Sequence, residues 1–151
     1  MQPMYPQFNE LVHHVVRKLM PQGYDTTDNM LEVNTPEKLV RYYNATGRIM
    51  VWTGASDCTM FGDAETNHAF RAWHDYVHVM YGFPFTQEGE QLVAKVQQRQ
   101  ACSIGSDYTH QERELFCKLI DCEVNGQVAY FHQHNDFPED QREFTRQYMA
   151  S

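Results

Sequence analysis

The chain has 151 residues and a mass of 17.8 kDa, which suits one domain with its own core. With 42% hydrophobic and 13% aromatic residues, it does not have the composition of a disordered segment. Its 20 acidic and 12 basic residues give a net charge of -8, which excludes a general phosphate-tracking surface for nucleic acid or anionic membrane.

No apolar window approaches the ~18 residues that a membrane helix needs. The polar start, Met1 to Glu10, lacks the basic and apolar regions of a signal peptide. The expectation is a cytoplasmic protein without membrane contact, whose four cysteines, Cys58, Cys102, Cys117 and Cys122, are free thiols.

Residues 8–20 place Phe8, Leu11, Val12, Val15, Val16 and Leu19 on one helical face. Pro21 and Gly23 end that helix, and residues 24–34 read as a polar connection. Thr35 caps a short helix with Pro36 at its first position and Gly47 beyond its end. The apolar run Ile49-Met50-Val51-Trp52 reads as a strand or extended segment, with Thr59-Met60-Phe61 as its partner in a hairpin. Asp63 caps a long helix to Tyr81, stopped by Gly82 and Pro84. Thr86 caps a helix over 87–101, Thr109 caps the longest helix over 110–133, and Asp136 with Pro138 starts a last helix over 138–149. The pattern predicts a single-domain all-α bundle (1–151) of about six helices, with at most one small β-hairpin near residues 49–61.

The helix over 64–81 carries the first chemical signal. At ~100° per residue, Ala69, Phe70, Trp73, Tyr76, Val77 and Met80 share one side. His68, Arg71, His74, Asp75 and His78 gather on the other, with no Glu or Lys among them. His74 and His78 are spaced i, i+4, as in helix-borne pairs that bind a divalent transition metal.

Two histidines need further ligands. Glu123 sits in the middle of the apolar face formed by Phe116, Leu119, Ile120 and Tyr130, where an unpaired carboxylate is costly. Glu88 heads an i, i+4, i+8 row with Leu92 and Val96, whereas Glu90 reads as solvated. The expected metal ligands are therefore His74, His78, Glu88 and Glu123, binding Zn, Fe, Mn or Ni. Asp75 and His68 are expected to orient a ligand or act as base, Arg71 to contact a phosphate, and Gln127 and Tyr130 to bond ligands or substrate.

One stretch is familiar as a whole: Trp52-Thr53-Gly54-Ala55-Ser56-Asp57, Phe61-Gly62-Asp63, Asn67 through Asp75, His78, and Phe85 through Glu90. It resembles a group of small proteins encoded by tailed phages, over about 40 central residues. The resemblance implies a phage origin and action inside an infected bacterial host, and it carries no activity. The dipeptide His74-Asp75 also occurs in the HD phosphohydrolase signature, from which His68 departs because it lies on the same helix.

The leading expectation is a metal-dependent hydrolase acting on a nucleotide or phosphoester. A second is a non-catalytic protein that inhibits a host protein, with the histidine face as its interface. A third is a di-iron bundle, which needs more inward carboxylates than Glu88, Glu112 and Glu123 supply.

Overall fold

The computed structural model describes all 151 residues. It is an all-α bundle with one small sheet. Helix α1 (Pro6–Leu19) buries Phe8, Leu11, Val12, Val15 and Val16, the row that periodicity predicts. Strand β1 (Asp25–Thr27) and a single 3-10 turn (Met30–Glu32) lead to α2 (Pro36–Thr46), then strand β2 (Met50–Trp52). The remaining helices are α3 (Ala64–Tyr81), α4 (Gln87–Ile104), α5 (His110–Asp121), α6 (Gln127–His134) and α7 (Gln141–Ala150). A π-helical turn, Cys122–Gly126, joins α5 to α6, so the predicted helix over 110–133 is one rod with a change of pitch.

The caps follow the chemistry of the side chains. Thr35, Asp63, Thr86, Thr109 and Asp140 each accept a hydrogen bond from the backbone N–H three residues on. The last helix starts at Gln141 rather than 138 because Asp140, not Asp136, provides its cap.

The hairpin is a correction. β2 pairs in parallel with β1, in the register Asp25–Met50, Thr26–Val51 and Thr27–Trp52. Thr59 to Phe61 is a turn whose Met60 and Phe61 side chains are buried in the core. β1 escaped detection because its Asp-Thr-Thr sequence has no apolar alternation. It is anchored by Asp25, which accepts from Arg48 Nε at 2.7 Å and from the Tyr42 hydroxyl.

The core centres on Phe8, Phe61, Phe70, Trp73 and Phe116, whose rings pack at centroid distances of 5.5–6.2 Å along the chain of contacts. Helix α3 runs through the middle. It is enclosed on both faces, with Trp73 and Val77 fully buried on one and His78 2% exposed on the other.

The turn from α3 to α4 is close-fitting. Gly82 adopts φ +71°, the left-handed conformation that ends α3. Seven residues later, a Cβ on Gly89 would lie 2.0 Å from the Pro84 carbonyl oxygen. Only glycine lets α4 start this close to the turn, and Glu90 is the next residue. We expect Gly89→Ala to cost about 2 kcal/mol in urea denaturation, the usual penalty for forced overpacking, and to displace Glu90.

Candidate metal centre

The i, i+4 spacing on α3 brings the His74 and His78 rings edge to face, with centroids 4.8 Å apart. Their Nε2 atoms are separated by 3.2 Å. Glu90, in the first turn of α4, closes the group. Its Oε2 is 2.8 Å from His74 Nε2 and its Oε1 is 3.0 Å from His78 Nε2. The group is mostly enclosed, with the Glu90 side chain 16% exposed and that of His74 19%.

The other ring nitrogens have partners of their own. His78 Nδ1 lies 2.9 Å from the Phe83 carbonyl oxygen, which can only accept. His74 Nδ1 lies 2.9 Å from Gln97 Oε1, on a glutamine with no exposed surface. Both Nδ1 atoms are thus engaged on the outer side, and both Nε2 atoms point at the Glu90 carboxylate.

That convergence calls for positive charge between the three groups. A proton is one solution. Burial pushes His74 down, but the charge and hydrogen bond of Glu90, with Asp75 and Gln97, bring it up to about 9. Burial pushes Glu90 up, but the two histidines hold it down to about 2.

A divalent ion satisfies all three groups at once. Ligand atoms ~2.0–2.1 Å from a four- to six-coordinate ion are roughly 2.9–3.4 Å apart. The two Nε2 atoms, 3.2 Å apart, fit neighbouring positions of such a shell, with a Glu90 oxygen 2.8–3.0 Å from each of them. His74, His78 and Glu90 can thus hold a metal ion, as two nitrogens and one carboxylate with further positions open.

The open side faces a cleft of about 430 Å³ whose walls include His74, Glu90, Asp75, Arg71 and Glu123. Asp75 is pushed by burial up to about 6, against the pull of His74, His78 and Arg71. Glu123 is pushed by burial up to about 7, against the pull of Arg71, Gln127 and His74. Gln127 Nε2 donates to Glu123 Oε1 at 3.5 Å.

The expected site residues fall into three groups. His74 and His78 meet directly, while Asp75 and Glu123 line the same cleft without joining the three-residue cluster. Glu88 is exposed and points away from the histidines, which corrects its expected role as a ligand.

Glu90 takes the place expected of Glu88. The buried row of α4 is Val93, Ala94, Gln97 and Ala101, which lies at i+3, i+4, i+7 and i+11 from Glu90. Larger side chains suggested the row through Leu92, but Leu92 is 44% exposed. Small residues line the true face because α4 packs closely there.

His68 and Arg71 both bond the backbone of the segment after β2, and Arg71 also lines the cleft. His68 Nε2 donates to the Thr53 carbonyl at 3.2 Å. Arg71 Nη1 donates to the carbonyls of Trp52, at 2.7 Å, and Gly54, and Nη2 donates to that of Ala55 at 3.3 Å. Its guanidinium also stacks 5.3 Å from the centroid of the Trp52 ring. Arg71 thus clasps the segment after β2 from within the cleft wall.

The rival expectations also meet the structure here. On the histidine face His78 is buried, while His68, Arg71, His74 and Asp75 are partly exposed. Glu112 is spent in the capping box of α5 and Glu88 faces solvent, so neither adds an inward carboxylate for a di-iron centre.

No known protein family, curated protein or solved structure matches the chain.

The raised Glu123 has a consequence for stability. Its folded value of about 7 lies above the ordinary 4.5, so the folded state binds the proton more tightly than the unfolded state. Stability is then full below pH 4.5, declines as pH rises towards 7, and stays reduced above it. We expect Glu123→Gln to raise stability at pH 8 by roughly 2 kcal/mol, discounted for partial solvent access, and to change it little at pH 4. Urea denaturation at the two pH values checks this.

Proposed function

We propose that the chain is a divalent-metal-dependent hydrolase acting on a small molecule. The observation that carries the reading is the pair of imidazoles with both Nδ1 atoms engaged on the outer side and both Nε2 atoms aimed at Glu90. Zinc and iron(II) both suit two histidines and one carboxylate. A divalent ion held there would act as a Lewis acid and lower the pKa of water.

The residues around it favour hydrolysis. Asp75 and Glu123 flank the open side, with values of about 6 and about 7 that place both near neutrality. Carboxyl groups in that range can take a proton from water and return it to a leaving group. In this reading Asp75, adjacent to His74, is the base, and Glu123, across the cleft on the π-helical turn, is the acid. Gln97 and the Phe83 carbonyl hold the imidazoles in orientation.

For the phosphoester or nucleotide substrates expected from the sequence, Arg71 lines the cleft while three of its N–H groups bond backbone carbonyls. The setting, the cytoplasm of a phage-infected bacterium, follows from the sequence resemblance and supports a small metabolite of the host as substrate.

Elemental analysis of tag-free protein tests the reading. We expect about one metal per chain, lost in His74→Ala and in Glu90→Ala. Because His74 carries a proton up to about pH 9 in the metal-free protein, zinc binding at pH 7 should expel about one proton. Calorimetry in buffers of different ionisation enthalpy measures that proton. No metal in reloaded wild-type protein would end the enzyme reading.

A further inference from the structure

The cleft beside the metal centre has an uneven distribution of free hydrogen-bonding groups. Several of its side-chain donors are engaged within the protein. Arg71 donates to three carbonyls. Asn67 Nδ2 donates to Ser56 Oγ at 2.9 Å. Gln141 Nε2 donates to the Ala55 carbonyl, and Gln127 Nε2 to Glu123 and Gln141.

The acceptors are not committed in the same way. Asp75 is influenced by neighbouring charges but by no hydrogen-bond donor. Glu123 accepts one long bond on Oε1 and leaves Oε2 open. Two carboxyl groups thus face a cavity whose other walls are Trp52, Phe70, Phe85, Val124, Val128 and Phe137. An N–H donor entering the cleft would find two unpaired acceptors.

We propose that this cleft selects an amine- or amidine-bearing organic molecule with a flat apolar body over an organic anion of the same shape. The proposal rests on the reading of the cleft as the substrate site of the metal centre. The N–H groups of such a ligand would pair with Asp75 and Glu123, and its ring would lie against Trp52 and Phe137.

Three probes of nearly the same shape separate charge and donor content from size: benzamidine, benzamide and benzoate. The full chain is titrated with each, once loaded with zinc and once after chelation, and binding is followed by ligand-observed NMR. We expect benzamidine to bind about tenfold more tightly than benzoate in both forms, with benzamide between them. The double variant Asp75→Asn, Glu123→Gln should lose that order while keeping the zinc content of the wild type. Equal or tighter binding of benzoate in either form overturns the proposal. So does failure of all three probes to bind, or an order that survives the double substitution. Absence of zinc with the benzamidine preference intact would remove the metal reading alone, and full zinc with the preference reversed would remove this one alone.

Discussion

Three Lewis bases share one small space, and much of the centre of the molecule is arranged around that fact. Two imidazole nitrogens and a carboxylate meet at 2.8–3.2 Å, each fixed from behind. Left neutral, the lone pairs would repel one another and the carboxylate in a poorly solvated setting. The group is therefore stable only with added positive charge, either a proton on His74 or an ion shared by all three. The same three groups could hold either, and the proposed function rests on the ion.

Local structure brings the bases together. The α-helical pitch sets the two histidines one turn apart on α3. Gly82 ends that helix in the left-handed conformation, and Phe83 then turns its carbonyl onto His78 Nδ1. Thr86 caps α4 and Gly89 lets its first turn sit on the Pro84 carbonyl, so Glu90 arrives opposite the histidines. Arg71 secures the other wall by holding the segment after β2 to α3. Half of the site thus comes from a segment of 17 residues, His74 to Glu90, and the matching wall comes from β2 and the π-helical turn.

The helices were legible in the sequence because their signals are local. Thr35, Asp63, Thr86 and Thr109 cap where expected, and the apolar rows of α1 and α5 are regular. β1 was not legible, because a three-residue polar strand is stabilised by backbone pairing and by Arg48, a residue far along the chain. Within the site, His74 and His78 stood out because a helical face with no Lys or Glu is unusual for a solvated surface. Glu90 was hidden because the buried face of α4 is made of Val93, Ala94 and Ala101, which weigh less in a hydrophobic pattern than the exposed Leu92. Gln97, buried at the middle of that row, was the available sign of the true face. The carbonyl contacts of Arg71 and His68 were not legible, since they depend on where the segment after β2 folds back against α3.

The π-helical turn at Cys122–Gly126 does more than carry Glu123 to the cleft. A turn with an i to i+5 hydrogen bond takes up one residue more than the α repeat. Everything after it is therefore out of phase with everything before it by roughly 100°. Upstream, Phe116, Leu119 and Ile120 obey the central core. Downstream, Tyr130 turns to a different partner, packing edge to face on Phe144 of α7 at 5.5 Å, while Gly126 admits Tyr148. One continuous rod can thereby satisfy two packing surfaces whose registers are incompatible with a uniform helix. Deleting a single residue at the bulge would restore regular pitch, and it would force α6 to choose between the cleft and α7.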